Sequence, residues 1–494
     1  MIGKTWAWPL AVGVSALALT TGARAADAAA DAAGAKTIAN FIAAYAGEAA
    51  LPGVEVKQDG ASYLVAVDIG AATAQLKAAG FAYDPAKIRF RVFKQDDGQW
   101  RIELANLPAL TGHMRAQKGE LLDFRVETDG LTQTSVLDPR LNWIASSHAQ
   151  GAKIAVTAHG PTLSEFVETR DLTADLKTTS GASGLTSTLV EPLGHFNLVV
   201  DIDPKGVDPK TGGPAKPVHV SANGENAQAM ATLSDFQPGP LLDGWRFAVA
   251  HPARADYARD FAALKGILTA LVADSVNFNE ALKVGKLGVL TEAGQIAIEN
   301  GSLGVTAFNG PAGAGFGESV SASSLKLPDG LVPAAYASLM PTSFDFAFKA
   351  SGFDVAGAVQ EWIADAKLDG TEPILNPADE KKVNMKLWAF RPVVVEIAPS
   401  HFVSAGYDLS LEGKVTIDKG APTANLTIKA KNFDQTAQAI QGAAPEQAQQ
   451  MTPVIAMAKG LGKAQPDGSL VWVYTLGADK VMKVNGLPLG KSPY

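Results

Sequence analysis

Residues Lys87 to Leu104 read KIRFRVFKQDDGQWRIEL, and this stretch decides the fold. Ile88, Phe90 and Val92 alternate with Arg89 and Arg91. The Asp97-Gly98 pair then turns the chain, and Trp100, Ile102 and Leu104 alternate with Arg101 and Glu103. A period of two with one apolar and one charged face is the signature of an antiparallel hairpin that packs on one side and meets water on the other. The same pattern extends in both directions. Val54 and Val56, Asp59-Gly60, then Tyr63, Val65 and Val67 form an earlier hairpin pattern, and Leu121 to Val126, Asp129-Gly130 and Leu131 to Leu137 continue the series. The chain holds seven Asp-Gly and four Asn-Gly dipeptides. Asp and Asn tolerate positive φ and Gly prefers it, so these pairs are read as hairpin closures, and their number points to a long meander rather than to βαβ units.

Helical periodicity is confined to short segments. In the alanine-rich stretch from Ala26 to Ala50, the spacing of Ile38, Phe41, Ile42 and Tyr45 predicts an amphipathic helix ending near Gly47. A second helix is predicted over Ala253 to Val272, with Tyr257, Phe261, Leu264, Leu268 and Leu271 on one side. The expected fold is therefore α+β: mostly an antiparallel β meander forming long curved sheet, with a few amphipathic helices and two similar halves.

The second half carries an internal echo. Phe344, Phe346 and Phe348 alternate, Lys349-Ala350 follows, and Phe353-Asp354 opens a helix through Trp362. Eighty residues on, Leu426 and Ile428 alternate, Lys429-Ala430 follows, and Phe433-Asp434 opens Gln435 to Ala443. In both places the Asp is expected to cap the helix and the Phe to staple it to the sheet.

Length and composition set the outer bounds. The 494 residues are 47% hydrophobic and 19% charged, too apolar for a disordered chain, and long enough for two to four domains. The absence of cysteine excludes disulfides, thiol nucleophiles, iron–sulfur clusters and zinc ribbons. Residues 1–25 combine Lys4, an apolar run from Trp6 to Leu19, and Ala23-Arg24-Ala25. This is the pattern of a signal peptide cleaved after Ala25, which places the mature chain in the periplasm. Retention of this segment as an anchor is the alternative. Removing Lys4 and Arg24 leaves 40 basic and 50 acidic residues, a net charge of −10, which disfavours nucleic acid as a partner. No later segment reads as an integral membrane span. The organisation expected is residues 26–202 as an N-terminal helix and sheet, 203–217 (DPKGVDPKTGGPAKP from Asp203) as a flexible loop or boundary, and 218–494 as a second β-rich part ending in hairpins.

Motifs for chemistry fail on mechanics. The seven histidines (His113, His148, His159, His195, His219, His251, His401) show no helical zinc-hydrolase spacing. Gly490-Lys491-Ser492 lacks the earlier glycine of a phosphate loop, where Asn485 stands. Gly313, Gly315 and Gly317 sit in no βαβ unit. Ser180 to Gly184 has Leu185 where a nucleophile elbow needs glycine. Asp96-Asp97 and the Asp201/Asp203 pair read as turns rather than calcium sites, and Trp143, Trp245, Trp362, Trp388 and Trp472 read as core rather than sugar platforms. The sequence thus assigns no catalytic, cofactor-binding or metal-ligating residue and implies no cofactor.

The end of the chain carries a resemblance. Tyr407 to Ile417 (YDLSLEGKVTI), the strand Asn425 to Lys431 running into Phe433-Asp434, Asp467-Gly468-Ser469-Leu470 and Val484 to Leu489 (VNGLPL) follow in an order that resembles the carboxy-terminal part of proteobacterial periplasmic envelope proteins of the AsmA-like and YdgA-like kind. It covers about the last ninety residues. The resemblance implies a β-rich periplasmic protein connected with the outer membrane and lipid handling, and it supplies no catalytic residues. The function expected is therefore a non-enzymatic cell-envelope protein binding or shielding lipid acyl chains in an apolar sheet groove. A scaffold or assembly factor for other envelope proteins and a carboxylate-based hydrolase are the alternatives. A sheet closed on itself or fully covered would leave no groove.

Overall fold

In the computed structural model the described residues are 29–115, 120–203, 217–251, 254–273, 276–310, 313–367, 374–389, 392–418, 420–443 and 445–492. The signal peptide expected at residues 1–25 and most of the loop expected at 203–217 lie outside them. The protein is α+β and mostly β: the described residues form 23 strands, and every described strand pairing is antiparallel. The chain divides into two compact units, one running to Asn277 with Ile363–Asn376 and the other comprising Phe278–Trp362 and Pro377–Tyr494.

The first unit opens with helix α1 (Ala32–Ala46), which ends where Gly47 takes φ of 83°. Asp31 caps it, its carboxylate accepting the Gly34 N–H at 2.6 Å. The strands are β1 (Val54–Asp59), β2 (Ser62–Asp68), β3 (Phe81–Tyr83), β4 (Lys87–Lys94), β5 (Trp100–Ala105), β6 (Leu110–Arg115), β7 (Leu121–Asp129), β8 (Thr132–Asp138), β9 (Trp143–His159), β10 (Leu163–Ser180), β11 (Leu185–Ile202) and β12 (Val218–Phe236). A one-turn helix, α2 (Ile69–Ala72), follows β2. The KIRFRVFK and WRIELA segments pair as β4 and β5, with Phe90 opposite Leu104 and Val92 opposite Ile102. Two cores form. Ile38 of α1 packs with Tyr63, Val65, Val92, Trp100 and Leu137, and a second cluster joins Leu104, Leu110, Phe124 and Val126.

Asp129-Gly130 does not close a hairpin. The strands β7 and β8 lie end to end along one edge of β9, Asp129 opposite Lys153 and Thr132 opposite Gln150, while β10 takes the other edge of β9. On their other edges they pair differently, β7 with β6 and β8 with β5, so the chain changes partner at Gly130 (φ 60°) while Leu131 is buried. Three further Asp/Asn-Gly pairs also miss their expected role: Asn223-Gly224 runs inside β12, Asn300-Gly301 lies inside a later strand, and Asp243-Gly244 sits in a helix. A dipeptide permits a turn; only strand ends that can pair with each other make the chain take one.

After β12 come three helices, α3 (Pro238–Ala250), α4 (Arg254–Arg259) and α5 (Phe261–Ala273). The second unit is a meander of β13 (Val276–Thr291), β14 (Gly294–Asn309), β15 (Ala314–Lys326) and β16 (Ser343–Phe353), then α6 (Val355–Asp365) and α7 (Pro377–Ala389). It continues through β17 (Val393–Val403), β18 (Asp408–Asp418), β19 (Ala421–Lys431), α8 (Phe433–Ala443), α9 (Pro445–Leu461), β20 (Lys463–Ala464), β21 (Leu470–Leu476), β22 (Val481–Val484) and β23 (Leu487–Lys491). From β14 to β19 each strand pairs with the next, and β21 joins β19 across the helical insert.

The echo read in the second half is a strand–corner–helix unit in both places, β16 into α6 and β19 into α8. The caps differ. Asp354 accepts the Gly357 N–H at 2.8 Å as expected. Asp434 does not cap: α8 starts two residues earlier relative to the corner, on Phe433 itself, so this carboxylate falls inside the first turn and pairs with Lys459 at 2.6 Å. The corner occurs a third time, where β12 runs into α3. At all three the residue before the Phe is left-handed: Asp235 (φ 60°) before Phe236, Gly352 (φ 98°) before Phe353, and Asn432 (φ 57°) before Phe433.

Candidate functional site

Residues directly opposite in an antiparallel pair share a face of the sheet. In the second unit the register therefore sorts side chains into two faces. On one lie Leu303 and Val305 of β14, opposite Val320 and Glu318 of β15; Phe346 and Phe348 of β16 stand opposite the same two residues, and Ala350 stands opposite Phe316. The face continues through Phe344 opposite Phe402, Phe402 opposite Leu409, and Leu411 opposite Ile428, to Trp472 of β21. Alternation in the sequence dictates this segregation; the register lines it up across strands.

Seven rings on this face touch in an unbroken chain. Trp388 of α7 meets Phe353 edge-on at 5.2 Å, Phe353 stacks on Phe316 at 5.9 Å, and Phe316 meets Phe348 at 6.0 Å. Phe348 then meets Phe346 at 6.0 Å, Phe346 meets Phe402 at 6.4 Å, and Phe402 stacks on Phe344 at 6.5 Å. All spacings fall in the range of attractive aromatic pairs. The end of the chain nearest α7 faces solvent: Trp388 is 50% and Phe316 43% exposed, and Leu303, Val305 and Val320 beside them are also exposed. Contiguous exposed apolar surface of this kind marks an interaction site more often than a scatter of single residues does. Glu318 interrupts it with a charge.

At the other end the face is covered. The indole N–H of Trp472 donates to the Ala458 carbonyl at 2.7 Å, and Phe433 packs on its ring at 5.5 Å, so α8 and α9 are laid over β21. The chemistry available on the open part is burial of hydrocarbon. Among the described residues named on it, Glu318 is the one ionisable group.

The opposite face is polar and is shaped by a bulge. Asp345 faces His401 and Phe348 faces Ile397, so β17 carries one extra residue at Ala398-Pro399. Proline has no N–H for the ladder and is tolerated at such a bulge. The fully buried Ser400 repairs the gap, its hydroxyl accepting the Ala347 N–H at 3.3 Å and donating to the Ala398 carbonyl at 2.8 Å.

The first unit has a related two-faced sheet. Val167 of β10 stands opposite Leu198 and Val156, and Leu198 opposite Ala222. Glu165 lies on this apolar face between Ala158 and Val200, buried, and burial pushes its carboxyl above the usual range.

Three histidines pair with aspartates across sheet strands and a fourth does so at the end of α3. His113 bonds Asp123 at 2.6 Å, His148 bonds Asp175 at 3.1 Å and His219 bonds Asp201 at 2.6 Å, each directly across a strand pair, while His251 bonds Asp260 at 2.7 Å. Among the described residues no group of three His, Asp or Glu side chains is placed to hold a metal ion. Asp97 closes its turn by accepting the Gln99 N–H. Of the five tryptophans weighed above, Trp143 and Trp472 pack on phenylalanines, Trp388 joins the ladder, and Trp245 is exposed while donating to the Tyr45 carbonyl at 2.6 Å. The ladder residues were visible as alternating phenylalanines, but not the partnership of Phe316 and Trp388 with them.

No helix among the described residues is long and apolar enough to cross a membrane. No family model matches the chain, and neither a curated protein nor a solved structure matches it.

Proposed function

We propose that this chain is a non-enzymatic cell-envelope protein of the periplasm that shields lipid acyl chains on the aromatic face of its second unit, and that it is related to the AsmA-like and YdgA-like envelope proteins. The observation that carries the reading is the seven-ring chain from Trp388 to Phe344 with its exposed flank of Leu303, Val305, Phe316 and Val320. A strip of this kind lowers the free energy of an extended hydrocarbon by roughly 0.8 kcal/mol per buried methylene. The signal pattern of residues 1–25 and the terminal resemblance supply the compartment. Native mass spectrometry and lipid extraction after gentle purification test it. Co-purifying lipid, lost in a Phe316→Asp/Val320→Asp variant that keeps the wild-type circular dichroism, is expected. Clean protein that takes up no added lipid sinks the reading.

A scaffold for other envelope proteins is the second reading. Met385 and Trp388 on α7, and Val454 and Met457 on α9, are exposed apolar side chains on helices, a form suited to protein contacts. In vivo crosslinking that yields protein adducts without lipid selects it.

A further inference from the structure

The polar face of the same unit offers a second, independent site. Register places Lys349, Glu396, Lys414 and Asn425 directly opposite one another in a single row across β16 to β19, with Glu412 opposite Thr427 in the next row. These residues line a hollow of about 800 Å³ over the Ala398-Pro399 bulge. That volume lies within the roughly 300–1,000 Å³ of small-molecule sites. The bulge opens it: the extra residue bends β17, and the short side chains of Thr423, Asn425 and Thr427 on β19 form its far side.

We propose that this hollow binds an uncharged polyhydroxyl compound, a neutral oligosaccharide. The charges argue for the class. Two lysines and two glutamates cancel, and Glu396 lies between Lys349 and Lys414, 3.4 Å from the latter ammonium, so no net field selects an ion. What remains is a dense alternation of donors (the lysines), acceptors (the glutamates) and groups that are both (Asn425, Thr416, Thr423, Thr427), which is the complement of ring hydroxyls. Phe308 lies on the same face with the Lys349 ammonium 4.4 Å above its ring, an apolar plane at the margin on which a sugar ring can rest once the lysine swings aside. Because the aromatic ladder lies on the other face, the two sites do not compete.

The test is nuclear magnetic resonance or calorimetric titration of the full chain with maltotriose, cellotriose and chitotriose, repeated with glucuronate and glucosamine oligomers. A neutral trisaccharide is expected to bind with Kd of about 1 mM or tighter, insensitive to salt, and to weaken about tenfold in Glu412→Gln and in Asn425→Ala. Both substitutions lie on the solvent side and keep the strand pairing, and circular dichroism checks that they do. Absence of binding for all three neutral sugars, binding untouched by both substitutions, or preference for a charged oligomer each overturns the proposal.

Discussion

The indole of Trp472 on β21 lies against the ring of Phe433, centroids 5.5 Å apart, where β19 turns into α8. The same relationship joins Phe353 to Trp388 at 5.2 Å and Phe236 to Trp143 at 5.1 Å. In each case a left-handed residue breaks the strand's alternation one position before the Phe. The break turns the Phe ring toward its tryptophan at the strand end, and a helix can start on the next residues. The three helical inserts thus hang on one kind of corner.

Replacing Phe353 by Ala should therefore cost about 3 kcal/mol, and Phe353→Leu less than half of that, in urea unfolding. A double-mutant cycle with Trp388→Ala is expected to give a coupling of about 1 kcal/mol, the worth of an aromatic pair beyond its area. Additivity of the two substitutions would show that the rings do not act together.

The two echoed aspartates should behave differently. Asp354→Ala removes a helix cap and is expected to destabilise by about 1 kcal/mol. Asp434→Ala removes a solvent-exposed pair with Lys459 and should cost less than about 0.5 kcal/mol. Equal losses would contradict the different roles of the two carboxylates.

Ser400→Ala leaves the Ala347 N–H without its acceptor inside the bulge. A loss of about 1–2 kcal/mol is expected. Ser400→Thr adds a methyl to a fully buried site and is expected to destabilise as well. Hydrogen exchange at Ala347 reads the bond directly, and protection unchanged in Ser400→Ala would refute its role.

Asp138 is buried and accepts from the Arg140 guanidinium at 2.6 Å and from Gln99 at 3.0 Å, which holds its carboxyl down at about 2. A carboxyl depressed by folding stabilises the protein above its unfolded pKa and loses that contribution as pH falls through the folded value. Asp138→Asn should thus cost about 1–2 kcal/mol at neutral pH, discounted for the exposure of Arg140. The gap to wild type should close between about pH 4 and pH 2. A gap constant with pH in calorimetric or denaturant unfolding would contradict the pairing.

What the sequence by itself determined is local. The period-two alternation in KIRFRVFK and WRIELA set strand, face and hairpin, because a pleated strand sends successive side chains to opposite sides whatever it pairs with. The spacing of Ile38, Phe41 and Ile42 likewise set the amphipathic face of α1. Partnership beyond such adjacent hairpins was decided by the tertiary structure alone. Asp129-Gly130 and Asn300-Gly301 have the chemistry of turns, yet one joins collinear strands and the other lies within a strand, since the length of the neighbouring strand and the burial of residues such as Leu131 outweigh a dipeptide's preference. The third corner at Phe236 was hidden because Gln237-Pro238 replaces the Asp that marks the others. The aromatic ladder needed both levels: alternation put Phe344, Phe346 and Phe348 on one side, and only the register across β14 to β17 brought Phe316 and Phe402 beside them. Non-local pairing decides such contacts, and its energy resides in neighbours far apart in the chain.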